Sequence, residues 1–224
     1  MNIVFDDLIS CVAQNLTVVT LEADVVNVET SDELWAELET AGNHVAAKYN
    51  LPEINRRRAI AATRAVYKAL GKDPNRYRPS SEALCRRLVK GMSLYRINAL
   101  VDLVNIVSFQ SGYSIGGFDA DCIAGDTLTL GVGREGEMFE GIGRGQLNIA
   151  CMPVYRDSVG GIGTPTSDEE RTKMTLSTKH LLMCINVYAE EMPIDETIGL
   201  AVDLLTRHCS ATNINVKRYN PRLP

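Results

Sequence analysis

The chain has 224 residues, of which 45% are apolar and 23% charged, with a formal net charge of −5. That is enough apolar material for one sizeable core, and no apolar run approaches the roughly 20 residues of a membrane span. The opening MNIVFDDLIS reaches acid at Asp6 and Asp7 with no basic stretch before it, so it does not read as a secretory signal. The six cysteines are scattered without CxxC or CxH spacing, which gives no sign of a zinc site or disulfide framework. Most of them are expected to be reduced core residues of a cytoplasmic protein.

In chain order, LTVVTLEADVVNV over 16–28 reads as an early strand or two. Ser31 or Asp32 caps a helix through SDELWAELETAGNHVAAKY, whose apolar face is Leu34, Trp35, Leu38 and Val45. Pro52 opens a second helix through INRRRAIAATRAVYKAL, ended by Gly71. Ser80 caps a third, SEALCRRLVKGM, with Gly91 at its end. The fourth runs from Ile97 to Phe109 and is apolar nearly all round, the pattern of a buried helix. After Gly112 the texture changes to short β-like runs, TLTLGV, EMFEGI and LNIACMPVY. GGFD at Gly116–Asp119 is a loop signal, and GIGRG at 141–145 a hairpin turn. A loop, RDSVGGIGTPTSDEERTKM, precedes LLMCINVYA, a buried strand or short helix. DETIGLAVDLLTRHC is a final amphipathic helix, and the tail NVKRYNPRLP looks irregular. Helices in the first half and strands in the second give an α+β fold.

Several patterns bear on chemistry. Asn98, Asp102 and Asn105 fall on one line of the fourth helix. Buried polar groups need partners or a cavity wall, since each one left unpaired costs about 1–3 kcal/mol. They therefore either hold neighbouring backbone or line a pocket. The glycines of GGFD allow close approach of a ligand or another chain segment. Hydroxyls crowd the loop at Thr164, Thr166, Ser167, Thr172 and Thr175. They suit an anion or simply a polar surface. The candidate pocket set is Asn98, Asp102, Asn105, Gly116, Gly117, Phe118, Asp119 and Thr172. GVGREG at 131–136 matches a dinucleotide pattern but precedes another glycine turn rather than a helix, so no such cofactor is expected. His44, His180 and His208 stand apart from any metal-type cluster, and there is no P-loop or GxSxG elbow.

The net charge argues against a polyanion, but its distribution does not. Between Arg56 and Arg96 stand twelve Lys or Arg against Asp73 and Glu82 alone. Arg56, Arg57, Arg58, Arg64, Arg78, Arg86 and Arg87 are the candidate nucleic-acid contacts. The competing reading is a pair of solvated helices whose arginines pair with the acidic segment 29–39.

RPSSEALCRRLVKG, INALVDLVN and GGFDAD, in this order, resemble the B3/B4 domain of the phenylalanyl-tRNA synthetase beta subunit, and more closely the stand-alone proteins built from it. The resemblance runs from about Arg78 to Tyr188. It implies a single B3/B4-like domain with a pocket between sheet and helices. An N-terminal strand and helices would occupy 1–77, the family-like region 78–190, and a C-terminal helix and tail 191–224. In the synthetase this domain hydrolyses tyrosine wrongly attached to the phenylalanine tRNA. The family has a histidine two residues before FD and a glutamate after a T-x-x-x-L-L run. Here those positions are Gly116 and one at or near Cys184. The implied partners are tRNA or other RNA and an amino-acid-like ligand, with no membrane and no cofactor; the oligomeric state is left open. Three readings follow. They are a trans-editing deacylase with water activated by the tRNA, by Asp102 or Asp119, or by Asp168, Glu169 or Glu170; a non-catalytic binding module; and an unrelated enzyme or sensor on the same scaffold.

Overall fold

A computed structural model describes residues 1–221. Its centre is an antiparallel sheet in the order β10-β2-β9-β3, formed by β2 (Thr17–Asp24), β3 (Ser114–Asp119), β9 (His180–Val187) and β10 (Thr212–Tyr219). Alternation along β2 assigns its two faces. Val19, Leu21 and Ala23 meet the helices, while Val18 points to a second sheet. β9 does the same, with Leu181, Met183 and Ile185 on the helical side and Leu182 and Cys184 on the other.

Four helices cover the first face: α2 (Asp32–Lys48), α4 (Ser80–Val89), α5 (Ala99–Ser111) and α6 (Ile194–Cys209). Ser31 caps α2 as its sequence indicates, accepting the Leu34 N–H at 3.1 Å. Gly112 ends α5 in the left-handed region, at φ 81°. The second face packs on a mixed sheet ordered β1-β4-β7-β8, from β1 (Asn2–Phe5), β4 (Thr127–Val132), β7 (Pro153–Arg156) and β8 (Gly161–Gly163). β1 runs parallel to β4. A hairpin of β5 (Glu140–Gly141) and β6 (Gly145–Gln146) turns through GIGRG as expected. The helix α1 (Asp7–Val12) follows β1, and neither is apparent from the sequence pattern.

The structure corrects several expectations. GGFD is the last four residues of β3, a fully buried strand. The tail is not irregular: β10 runs through Tyr219, paired with β2. The last residues of that tail, 222–224, lie outside the described part. Only three cysteines are buried, namely Cys85, Cys184 and Cys209; Cys11, Cys122 and Cys151 are exposed. The helix expected from Pro52 is interrupted. A short 3-10 turn at Ile54–Arg56 gives way to an extended Arg57 before α3 (Arg58–Ala69) starts.

That interruption puts Arg57 inside the protein, 5% exposed. Its guanidinium donates to the carbonyls of Phe109 at 2.6 Å and Gln110 at 2.8 Å. These acceptors lie at the end of α5, which has no basic residue of its own there, and apart from Arg57 the Phe109 carbonyl receives only the Cys85 thiol at 3.6 Å. Its Nε meets Glu191 at 2.7 Å, and Glu191 in turn accepts the Ala59 N–H. Arg57→Ala should lose about 3–5 kcal/mol, because it strands a partly buried carboxylate and two carbonyls. The exposed neighbour Arg56→Ala should stay within about 0.5 kcal/mol of wild type. Urea unfolding of both variants checks this, and a mild Arg57→Ala would remove the structural assignment.

Candidate functional site

At the β3 edge of the central sheet, under α4 and α5, lies a cavity of about 460 Å³. Leu84, Val101, Val104, Ile115 and Met174 give it apolar walls, and Ile97 and Ile142 complete them. Its polar groups are few: Ser80, Asn105, Ser108, Asp168 and Lys173. Ser108 is spoken for, donating to the Tyr113 carbonyl at 2.8 Å. Lys173 forms an ion pair with Glu170. The Asn105 carboxamide, the Ser80 hydroxyl and Asp168 Oδ1 have no hydrogen-bond partner among the described residues.

Asp168 owes its place to the glycines of β3. Its Oδ2 accepts the Gly117 N–H at 3.1 Å. Its Oδ1 lies 3.5 Å from where a Cβ on Gly116 would stand and 2.8 Å from the same point on Gly163. A side chain at Gly163 would displace the carboxyl, whereas at Gly116 it would only touch it. The Phe118 ring also occupies this space, 2.6 Å from both Cβ positions, and packs edge-on to Tyr155 at 6.5 Å. Asp168 sits at the cavity wall, half-buried, with Oδ1 on the Gly116 and Phe118 side of the strand. Burial there pushes its pKa up to about 7, against the opposing pull of the Gly117 N–H. A carboxyl that titrates near neutrality in an apolar cavity suits general acid–base work or the grip of a cation.

The polar stripe of α5 divides. Asp102 is structural: its Oδ2 accepts the Ile97 N–H at 3.2 Å and the Thr30 hydroxyl at 2.5 Å. Asn98 caps α5 through the Val101 N–H at 3.0 Å and reaches the Met174 carbonyl. Asn105 faces the cavity. Of the remaining candidate pocket residues, only Gly117 reaches the wall, under Met174. Gly116 and Phe118 point to the opposite face of the sheet. Asp119 caps the short turn at 120–122 and accepts the Thr178 hydroxyl at 2.8 Å. Thr172 is buried, its hydroxyl unpartnered.

Gly116 and Cys184 are direct partners across the β3–β9 ladder, so the positions lacking the resembled histidine and glutamate adjoin. Burial pushes the Cys184 thiol far up, which leaves it no thiolate to act as a nucleophile. Ile142, Lys173 and Met174 line the cavity without any sequence signal. Asp168 stood in the sequence as one of three successive acids, and the structure separates them. Glu169 caps the Arg171 N–H and Glu170 pairs with Lys173, so of the three only Asp168 belongs to the cavity lining.

The candidate RNA arginines also divide. Arg57 is structural, as described. Arg64 is buried, bonded to Glu82 at 2.8 Å, to the Pro74 carbonyl and to Asn75. Arg56 and Arg58 are exposed. Arg78, Arg86 and Arg87 line a groove beside α4 together with Lys90. The acidic segment 29–39 answers this basic stretch only through Asp32, which pairs with Arg96 at 2.8 Å. No group of three or more His, Cys, Asp or Glu able to hold a metal occurs among the described residues. No helix there is long and apolar enough to cross a membrane.

Comparison with known proteins places this geometry in a family. Phenylalanine–tRNA ligase beta subunits of Bartonella henselae and Bartonella quintana are each 34% identical over 96 residues. Those alignments span 39% of this chain and 12% of the relatives, so the chain matches only a small part of their length. A solved N-terminal fragment of the phenylalanyl-tRNA synthetase beta subunit from Pyrococcus horikoshii aligns over 96% of this chain and 50% of its own, with TM-score 0.47 and 11% identity. The family model of the B3/4 domain matches residues 62–200, more than half of the chain and the whole of the cavity wall from Ser80 to Met174, so the chain belongs to the B3/4 domain family.

Proposed function

We propose that this chain receives the aminoacylated end of a tRNA and hydrolyses the ester. One observation carries the reading: a cavity lined by Asp168, whose carboxyl has no cationic partner among the described residues, shares Leu84 with the basic groove of α4. An apolar aminoacyl group suits the cavity, and RNA phosphates suit Arg78, Arg86, Arg87 and Lys90. The curated relatives are named for joining an amino acid to tRNA, which supplies the substrate class. Ionised Asp168 takes a proton from water as the water oxygen attacks the ester carbonyl. Asn105 and Ser80 are the donors available to the carbonyl oxygen. The proton then passes to the departing ribose hydroxyl. Participation in translation sets the chain in the cytoplasm. A second reading, a binding module without catalysis, is favoured by one feature: the adjoining Gly116 and Cys184 carry neither of the resembled acid–base groups.

Incubation with Tyr-, Ser- and Ala-charged tRNAs, measuring released amino acid, separates the two. Hydrolysis of at least one should slow by about 10²–10⁴-fold in Asp168→Asn with tRNA binding retained. The wild-type rate should rise with pH through about 7 as the base ionises. No release above background, together with salt-sensitive tRNA binding, would leave the binding module.

Asp168 also sets a stability profile. Its pKa in the fold, about 7, stands above the ordinary 3.8. The native state therefore holds a proton that the unfolded chain releases, and stability falls as pH rises across that window. Between pH 5 and pH 8 the wild type should lose on the order of 1–2 kcal/mol more than Asp168→Asn, allowing for solvent in the cavity. Parallel denaturation curves for the two proteins at both pH values would remove the buried-carboxyl assignment.

A further inference from the structure

The surface of α4 carries more positive charge than its fold consumes. Glu82, itself buried, is the one carboxylate facing three guanidiniums: Arg64 at 2.8 Å, Arg78 at 3.3 Å and Arg86 at 3.9 Å. Arg64 takes the close contact. Arg87 and Lys90 have no carboxylate partner among the described residues. The segment after α4 runs beside this charge back to the cavity. Its Leu94 turns inward, but Met92, Tyr95 and Ile97 are 46%, 69% and 57% exposed. Met92 lines the basic groove and Ile97 lines the cavity. Between them the Arg87 guanidinium lies over the Tyr95 ring at 4.5 Å, held by the Ser93 carbonyl at 2.6 Å. An exposed aromatic braced on a fixed cation, with unpaired positive charge on one side and a cavity on the other, is the pattern of a single-strand binder: phosphates follow the charge and bases stack on the ring.

We propose that α4 and the Arg87–Tyr95 pair form a track for single-stranded RNA that leads its 3′ end into the cavity, with Tyr95 as the stacking platform for an unpaired base. This rests on the tRNA reading above and names the surface it uses. A duplex would not fit the pattern, because its bases are already stacked and present no free face to the ring.

The test is fluorescence anisotropy with the whole chain and a labelled single-stranded RNA decamer, against the same sequence as a duplex, over a range of salt. The single strand should bind more tightly. Tyr95→Ala should weaken it about tenfold without changing the salt slope, and Tyr95→Phe should restore it. Arg86→Ala and Lys90→Ala should each flatten the slope. Equal binding of duplex and single strand, or unchanged binding by Tyr95→Ala, overturns the track. So does preferential binding of an acidic polypeptide such as polyglutamate, which would mark a protein interface. The decamer carries no amino acid, so binding is read independently of cleavage. Failure to deacylate with the track intact removes only the hydrolase; failure of the track with deacylation intact removes only this inference.

Discussion

The hydrogen bond from the Gly117 N–H to Asp168 joins the two halves of the site. β3 is the edge strand of the central sheet, so one row of its backbone groups lacks a neighbouring strand. Asp168 satisfies one of them, and an isolated pairing of Phe118 with Lys173 continues the seal. The segment held there then forms the far wall of the cavity. Covering the edge thus also desolvates the carboxyl, since the strand it caps has helices on one face and the second sheet on the other. The same contact requires glycine: a side chain at Gly116 or Gly163 would meet Phe118 and Asp168. An element that protects a sheet edge and an acid poised near neutrality are, in this fold, one arrangement.

Charge obeys a similar division. A run of basic residues in sequence shows how many cations are present, and burial decides what they do. Arg57 and Arg64 are consumed by the ends of helices and by interior carboxylates, where desolvation makes an unpaired ion costly. Arg87 and Lys90 stay outside with no such partner. The two groups are interleaved along the same short stretch, Arg57 lying between exposed Arg56 and Arg58. The break in the helix at Arg57 turns it inward from these two neighbours, and nothing in INRRRAIAATRAVYKAL announces it.

Much of the fold was legible because periodicity reports burial. The helices α2, α4, α5 and α6 and the strands β4 and β9 follow their apolar patterns, and the motifs led to the B3/4 family. What escaped is set by contacts between distant segments. GGFD looks like a loop because glycine has no strand preference, yet its glycines admit the Phe118 ring and Asp168. The tail looks irregular because β10 is an edge strand with much of its surface in solvent, and its order comes from β2, some two hundred residues earlier. Within the site, the helical spacing of Asn98, Asp102 and Asn105 correctly marked a line of polar groups. It could not show that the line turns from backbone contacts to cavity wall along its length.

A net charge of −5 shapes the surface that remains. With a basic excess gathered around α4, the rest of the chain is acidic, so the RNA of the proposed function would be favoured on one face. Phosphate contacts there would give affinity without choosing among sequences. Selection is then left to the cavity, where apolar walls discriminate weakly by size but unpaired polar groups discriminate strongly. Asn105, Ser80 and Asp168 would each lose hydration if the proposed aminoacyl group displaced water, and each would then need a partner on that group. A ligand that leaves Asp168 ionised and unmatched is rejected by the same desolvation that tunes the carboxyl. Loss of the two acid–base residues familiar from the resemblance therefore does not leave an indifferent pocket. It moves the demand for complementarity onto a carboxyl delivered from a different segment of the chain.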